Sequence, residues 1–319
     1  MNTFGRNFCV QVFGESHGEA IGVVVDGVKA GMPLSKDDFM EDILRRKSGA
    51  TGTTPRLESD EPEILSGIFE GHTTGAPVAV IFRNNNTRSA DYESLRDVPR
   101  PGHADYTASV KWNGFNDPRG GGHFSGRLTL PIVAAGVIAK KQCGFSFNAE
   151  LIEIGGETDK SKWAGLLETT AKEGDSIGGI VECRVNGVPA GLGEPFFDSV
   201  ESLVSHAVFS IPGVRGIEFG DGFAASRMKG SEHNDVLPLV KNGAGGVNGG
   251  ITNGAEIVFR VAFKPTSSIA KTQKTLNIRT GETVNLNVHG RHDTCFALRT
   301  PVIVEAVTAM VLADLEKQR

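Results

Sequence analysis

Apolar residues recur along the chain with two different periods, and these periods divide it into strands and helices. Five segments rich in β-branched and aromatic residues lie between Gly or Asn breakers, at 8–13, 22–28, 76–82, 179–188 and 255–263. In the last of them Ile257, Phe259, Val261 and Phe263 share one face, and Glu256, Val258, Arg260 and Ala262 share the other. Alternation of this kind buries one face of a strand, so it predicts antiparallel sheets.

The helical period is sharpest at 35–47. Ser35 and Asp38 form a capping-box pair, Asp37 and Glu41 add acid to the first turns, and Arg45, Arg46 and Lys47 close the segment before Gly49. Its apolar stripe is Phe39, Met40, Ile43 and Leu44. Arg46 continues that stripe, three residues after Ile43 and seven after Phe39, whereas Arg45 joins the polar face with Glu41 and Asp42. An inward guanidinium calls for an anion, and either a bound carboxylate or phosphate or an acid elsewhere in the chain would answer it. Further helices are predicted at 130–141, 160–172, 199–209 (capped by Asp198) and 301–317, where Pro301 occupies the first turn. Segments 130–141 and 301–317 are apolar around most of their girth, as in helices covered on both sides. The pattern predicts an α+β layered sandwich, antiparallel β-sheets outside and α-helices inside. No repeat, low-complexity tract or Pro/Ser-rich linker interrupts residues 1–319, so one large domain is expected.

Composition narrows the function classes. With 33 Lys+Arg against 38 Asp+Glu the formal charge is −5, which supplies no broad positive field for nucleic acid or an anionic membrane. No apolar run approaches the roughly 18 residues of a membrane span, and the first residues lack a secretory pattern, so a cytoplasmic location is expected. Cys9, Cys143, Cys183 and Cys295 are scattered without C-x-x-C spacing and read as reduced small hydrophobes. The 41 glycines in 319 residues are nearly double the usual share of about 7 %, so many backbone positions need unusual φ or close approach.

Those glycines gather polar chemistry. Gly14-Glu15-Ser16-His17-Gly18 places an imidazole after a strand, and Arg100-Pro101-Gly102-His103-Ala104-Asp105 sets a base and a cation three residues apart. Arg119-Gly120-Gly121-Gly122-His123-Phe124-Ser125-Gly126-Arg127 leads into a helix and can offer backbone N–H groups to phosphate, although its spacing is neither a Walker loop nor a dinucleotide fingerprint. Lys264-Pro265-Thr266-Ser267-Ser268 adds an ammonium and hydroxyls, and Gly290-Arg291-His292-Asp293 precedes the last helix.

Taken in order with the Gly174–Gly179 and Gly245–Gly254 stretches, these motifs resemble the chorismate synthase family. The resemblance spans residues 14 to 293 and implies conversion of 5-enolpyruvylshikimate 3-phosphate to chorismate by 1,4-anti elimination, with reduced FMN required but no net redox change. It implies that His17 protonates or stabilises the reduced flavin near N1, that His103 assists phosphate departure as an acid, and that Asp293 helps move a proton from flavin N5. Arg46, Arg100, Arg127 and Arg291 are the implied grips for phosphate and carboxylates. His123, Phe124, Ser125, Gly213, Gly249, Lys264, Pro265, Thr266, Ser267, Ser268 and Arg291 are the implied flavin contacts. A homotetramer is implied, and either NADPH or an outside flavin reductase would supply the electrons. The chain departs from the family pattern at His123-Phe124-Ser125, where many members carry Arg-Ser-Ser, at Pro212-Gly213, where many carry Asn-Ala, and at Gly52, where an Arg is common though Arg56 lies near. Two rival readings accompany this one. A metal-assisted phosphohydrolase would use His17, His103 and Asp293 as ligands, but no H-x-H or HExxH spacing supports it. A non-catalytic flavin-binding protein would keep FMN uptake without needing either histidine.

Overall fold

Two antiparallel sheets face each other across a layer of helices in the computed structural model, which describes residues 1–54, 58–85, 95–237, 241–288 and 292–316. In the first sheet Cys9–Gly14 pairs with Ala20–Asp26, which pairs with Val78–Arg83, so that Val12, Val23 and Val80 lie side by side. Thr3–Phe4 and Glu63–Ser66 form its edges. In the second sheet Ile257–Phe263 lies between Val214–Phe219 and Gly179–Asn186, with Phe259 opposite both Phe219 and Cys183, and Ser146–Ile154 closes the far edge. Ile257, Phe259, Val261 and Phe263 are buried, as their alternation requires.

The described helices are α1 (Met40–Arg46), α2 (Asp105–Lys111), α3 (Thr129–Cys143), α4 (Trp163–Lys172), α5 (Val200–Val208), α6 (Gly230–His233) and α7 (Pro301–Glu316). The central pair is α3 and α7. Both are buried around nearly their whole circumference, and the apolar cluster they share joins the two sheets. Their backbones approach closely at Gly136, where an added Cβ would lie 2.3 Å from that of Ala306. The pair runs parallel: Gln142 near the end of α3 and Glu316 at the end of α7 both reach Lys29, while Arg46 joins the starts of the two helices.

Three local readings change. Leu44 is 58 % exposed and Asp42 takes the inward position, because Arg45 and Lys140 each bridge Asp42 to Glu305. Glu305 is fully buried within the apolar girth of α7 and also accepts the Ala149 backbone N–H at 2.8 Å. The helix cap at 199 is Ser199 itself, whose Oγ accepts the Ser202 N–H at 3.1 Å, while Asp198 pairs with Arg6. The helix predicted at 35–47 begins as a 3-10 turn over Lys36–Phe39, and Asp38 accepts the Ser35 N–H at 2.7 Å. At the other end of the molecule one carboxylate oxygen of Asp314 collects the backbone N–H groups of Arg6, Asn7 and Phe8 at 2.8, 2.5 and 2.8 Å.

Candidate active site

A cavity of about 880 Å³ opens where α3 and α7 begin, walled by Val10 and Val12 of the first sheet, Val214 of the second, Ile132 of α3 and Met310 of α7. Its size lies in the upper part of the range of about 300–1,000 Å³ for small-molecule pockets, leaving room for more than one ligand. Two helix N-termini side by side give this end of the layer a positive potential.

The triple glycine organises the histidines. Gly120, Gly121 and Gly122 have φ of 60°, 81° and 55°, a left-handed run that only glycine adopts without strain. The His17 ring lies directly on Gly120, where a Cβ would come within 2.6 Å of Nε2, and the His103 ring lies over Gly121, 3.4 Å from the corresponding position. Ser16 N–H donates to Gly122 O at 3.1 Å, which fixes the turn carrying His17 to the glycine loop. His103 lines the cavity, and His17 is buried behind the loop rather than on the cavity wall. His103 Nδ1 is 2.5 Å from Asp105 Oδ1, leaving Nε2 on the Gly121 side. Burial opposes ionisation of Asp105, but the hydrogen bonds from Arg100 and His103 outweigh it and hold the carboxyl well below its usual range.

Four arginines ring the same space. Arg100 makes a two-pronged pair with Asp105 at 2.7 and 2.8 Å and reaches Ser268 Oγ at 3.0 Å. Arg46 is buried as its spacing predicts, donating to Thr129 Oγ1 at 3.0 Å and Gly126 O at 3.2 Å, with Asp60 at 3.5 Å. The internal acid is therefore present, and the guanidinium also lines the cavity. Burial, then the neighbouring Arg299, lower its pKa to about 9, so it remains cationic at neutral pH. Arg127 donates to Asp60 and, at 2.9 Å, to Asn84 Oδ1. Arg299 holds Asp293 at 3.2 Å and donates to Arg46 O at 3.0 Å, while Asp293 also accepts the Thr54 N–H. Among the described residues the cavity wall carries seven cationic side chains (Arg46, Lys47, Arg100, Lys111, Arg127, Lys264, Arg299) against three acids (Glu58, Asp60, Asp293), a local reversal of the chain's net charge.

The segment from Lys264 to Ser268 closes the other side. Lys264 and Ser267 both bond Gly102 O, locking this segment to the loop of His103, and Ser176 Oγ donates to Thr266 O at 2.7 Å. Burial, then Arg215, hold the Lys264 ammonium below its ordinary pKa. Thr266 Oγ1 is buried with no hydrogen-bond partner among the described residues. Phe296 lines the cavity with Gly126 and Gly213 beside its ring. His123 lines the cavity with Phe124 and Ser125, its ring nitrogens 2.7 Å from Gly14 O and 3.1 Å from Asn2 Oδ1. Gly249 does not join them: it is exposed in the turn between Val247–Asn248 and Ile251–Thr252, away from the cavity wall. Arg291 and Arg56 lie outside the described residues. Among the described residues no group of three His, Cys, Asp or Glu side chains is placed to hold a metal ion.

Asp60, Asn84 and Arg299 escaped the sequence reading. Each stands outside the glycine-rich motifs, and Asp60 sits in the acidic run Glu58-Ser59-Asp60-Glu61, which reads as a solvated surface. The position of Arg299, just before the first-turn proline of α7, was the one available hint.

Comparison with known proteins gives the family. The family model described as chorismate synthase matches residues 8–316. The chorismate synthase of Chitinophaga pinensis is 62 % identical over 98 % of this chain and 96 % of its own length, and that of Korarchaeum cryptofilum is 45 % identical over the same shares. A solved chorismate synthase structure superposes with a TM-score of 0.76 at 26 % identity, covering 99 % of this chain and 93 % of its own. The chain belongs to the chorismate synthase family, the lyases of the shikimate pathway that form chorismate by eliminating phosphate from 5-enolpyruvylshikimate 3-phosphate.

Proposed function

We propose that the cavity binds 5-enolpyruvylshikimate 3-phosphate beside reduced FMN, the family's cofactor, with Arg46, Arg100 and Arg127 as anion grips and His17, His103 and Asp293 as the proton-handling groups. The convergence of the two histidine-bearing turns on Gly120 and Gly121, beside the buried arginines, carries this reading. The residues present fit a flavin: the unpaired Thr266 hydroxyl can answer a phosphate or ring carbonyl, and the Phe296 ring on the cavity wall suits a flat ring. Reduced flavin would lend electron density to the departing phosphate and recover it as the ring C–H bond breaks.

His103 serves as the acid for the leaving phosphate. Asp105 holds its Nδ1 and so aims Nε2 away from the ion pair, the same division of labour that orients a catalytic imidazole elsewhere. Arg100, held by Asp105, presents positive charge beside it, where charge builds on the departing oxygens. His17 packs on Gly120, which itself lines the cavity, and is the group we assign to the reduced flavin. Asp293, paired with Arg299, accepts and relays the ring proton.

A homotetramer supplied with electrons by NADPH or a separate reductase, working in the cytoplasm, completes the proposal. The assembly is supported by the exposure of Phe196, Phe197 and Phe223, aromatic surface that suits coverage by further subunits. The test is anaerobic turnover with photoreduced FMN. His17→Ala and His103→Ala should each lower turnover by about 10²–10⁴ with the fold intact. Wild-type rates in both variants would remove the assigned roles.

A further inference from the structure

Asp60 is fully enclosed, and each of its two carboxylate oxygens goes to a different arginine: Oδ1 to Arg127 Nη1, and Oδ2 to Arg46 Nη1 at 3.5 Å. Both guanidiniums are themselves buried on the cavity wall. Among the described residues their other side-chain hydrogen bonds go to uncharged oxygens, those of Thr129, Gly126 and Arg127 for Arg46, and those of Asn84 and Arg83 for Arg127. Asp60 is also one of four non-glycine residues described with positive φ, at 52°. A neutralising acid needs neither a strained backbone nor two partners, whereas a spacer between two cations needs the carboxylate held in one orientation.

We infer that Asp60 is the positioning residue that sets the separation of Arg46 and Arg127, and through it the spacing of the anionic groups the cavity accepts. This inference rests on the reading that these two arginines grip the substrate. Two guanidiniums sharing one carboxylate leave one positive charge in excess, which a substrate carboxylate or phosphate balances. Burial opposes ionisation of Asp60, but Arg46 and Arg127 outweigh it and keep the group anionic.

Asp60→Asn separates a positioning role from a charge role by sign. The carboxamide keeps one acceptor oxygen and turns an NH₂ toward the second guanidinium, so one arginine loses its anchor. The expected result is a rise in KM of about tenfold to a hundredfold, the worth of one charged hydrogen bond, with kcat changed less than KM. Inorganic phosphate should bind more weakly in calorimetry by a similar factor. A role in charge alone gives the opposite sign, because removing a negative charge makes the cavity more attractive to phosphate. Tighter or unchanged phosphate binding overturns the inference. Asp60→Glu keeps the charge and lengthens the spacer, and guards against an Asn variant that does not fold. It should raise KM, and wild-type KM in it also overturns the inference. Arg46→Lys and Arg127→Lys complete the set: if they leave KM unchanged, the anion-gripping reading fails, and if they raise it while both Asp60 variants do not, the role of Asp60 alone fails.

Discussion

Gly120→Ala tests the contact on which the site is built. At φ 60° the alanine pays a backbone penalty of about 1–2 kcal/mol. Its Cβ would also stand 2.6 Å from His17 Nε2 and Cδ2, where ordinary contacts begin at 3.4 Å, so the ring or the loop must shift by about 0.8 Å. His17 is buried and has little room to turn. A misplacement approaching 1 Å costs about 10² in rate when the displaced group acts in the chemical step. Gly31→Ala supplies the control: its φ is 82° and a Cβ there meets nothing within 4 Å, so it carries a comparable backbone penalty without touching the site. The assay is anaerobic chorismate formation and phosphate release, with urea melts run on both variants. Gly120→Ala should lose more stability than Gly31→Ala, by an overpacking cost of about 1–3 kcal/mol, and only it should lose about two orders of magnitude in turnover. In a His17→Ala background the Gly120 substitution should add little further loss. If Gly120→Ala turns over as fast as Gly31→Ala, the placement of His17 has no bearing on the chemistry.

Further consequences concern the charges inside the helical layer. Glu305→Gln breaks a carboxylate that accepts from Arg45 and Lys140 at 2.6–2.8 Å, and should cost about 2–3 kcal/mol in urea melts, below the full value for a sealed pair because both cations retain some water. An unchanged midpoint would mean the cluster is neutral to stability. Acid should unfold the protein through Asp60, Asp105 and Glu305. Burial opposes their ionisation, but their cationic partners hold all three pKa values below the ordinary range. A depressed folded pKa stabilises fully above the ordinary value of about 4 and loses that contribution as pH falls through the folded value. Unfolding free energy should thus be insensitive to these three groups from pH 8 to about 5 and fall below about 4. A steep loss between pH 7 and 5 that persists when all three are replaced would point to other groups.

Much of the architecture was legible because burial leaves a periodic trace. Alternation in Ile257–Phe263 announced a half-buried strand, and the apolar girth of α3 and α7 announced helices wrapped on both sides. Ser146–Ile154 and Val214–Phe219 left weaker traces: the first is an edge strand with exposed polar positions, and the second is mostly only partly buried. Inward-facing charge was the least legible feature. Asp42 displaces Leu44 from the interior because Lys140 and Glu305, two distant positions, close one network there with the neighbouring Arg45. The same blindness hid Asp60 and Arg299, whose roles exist only once loops from different parts of the chain meet. Glycine motifs located His17 and His103, yet could not tell that one faces the cavity and the other backs the loop.

The clasp of Asp314 on Arg6, Asn7 and Phe8 joins positions 306 to 308 residues apart in sequence. Closing a flexible loop of that length costs about 5 kcal/mol of chain entropy before any reward arrives. The clasp therefore closes late on the folding route, after the bulk of the chain has collapsed, whereas Thr3–Phe4 and Cys9–Gly14 pair with near neighbours in sequence and need not wait for it.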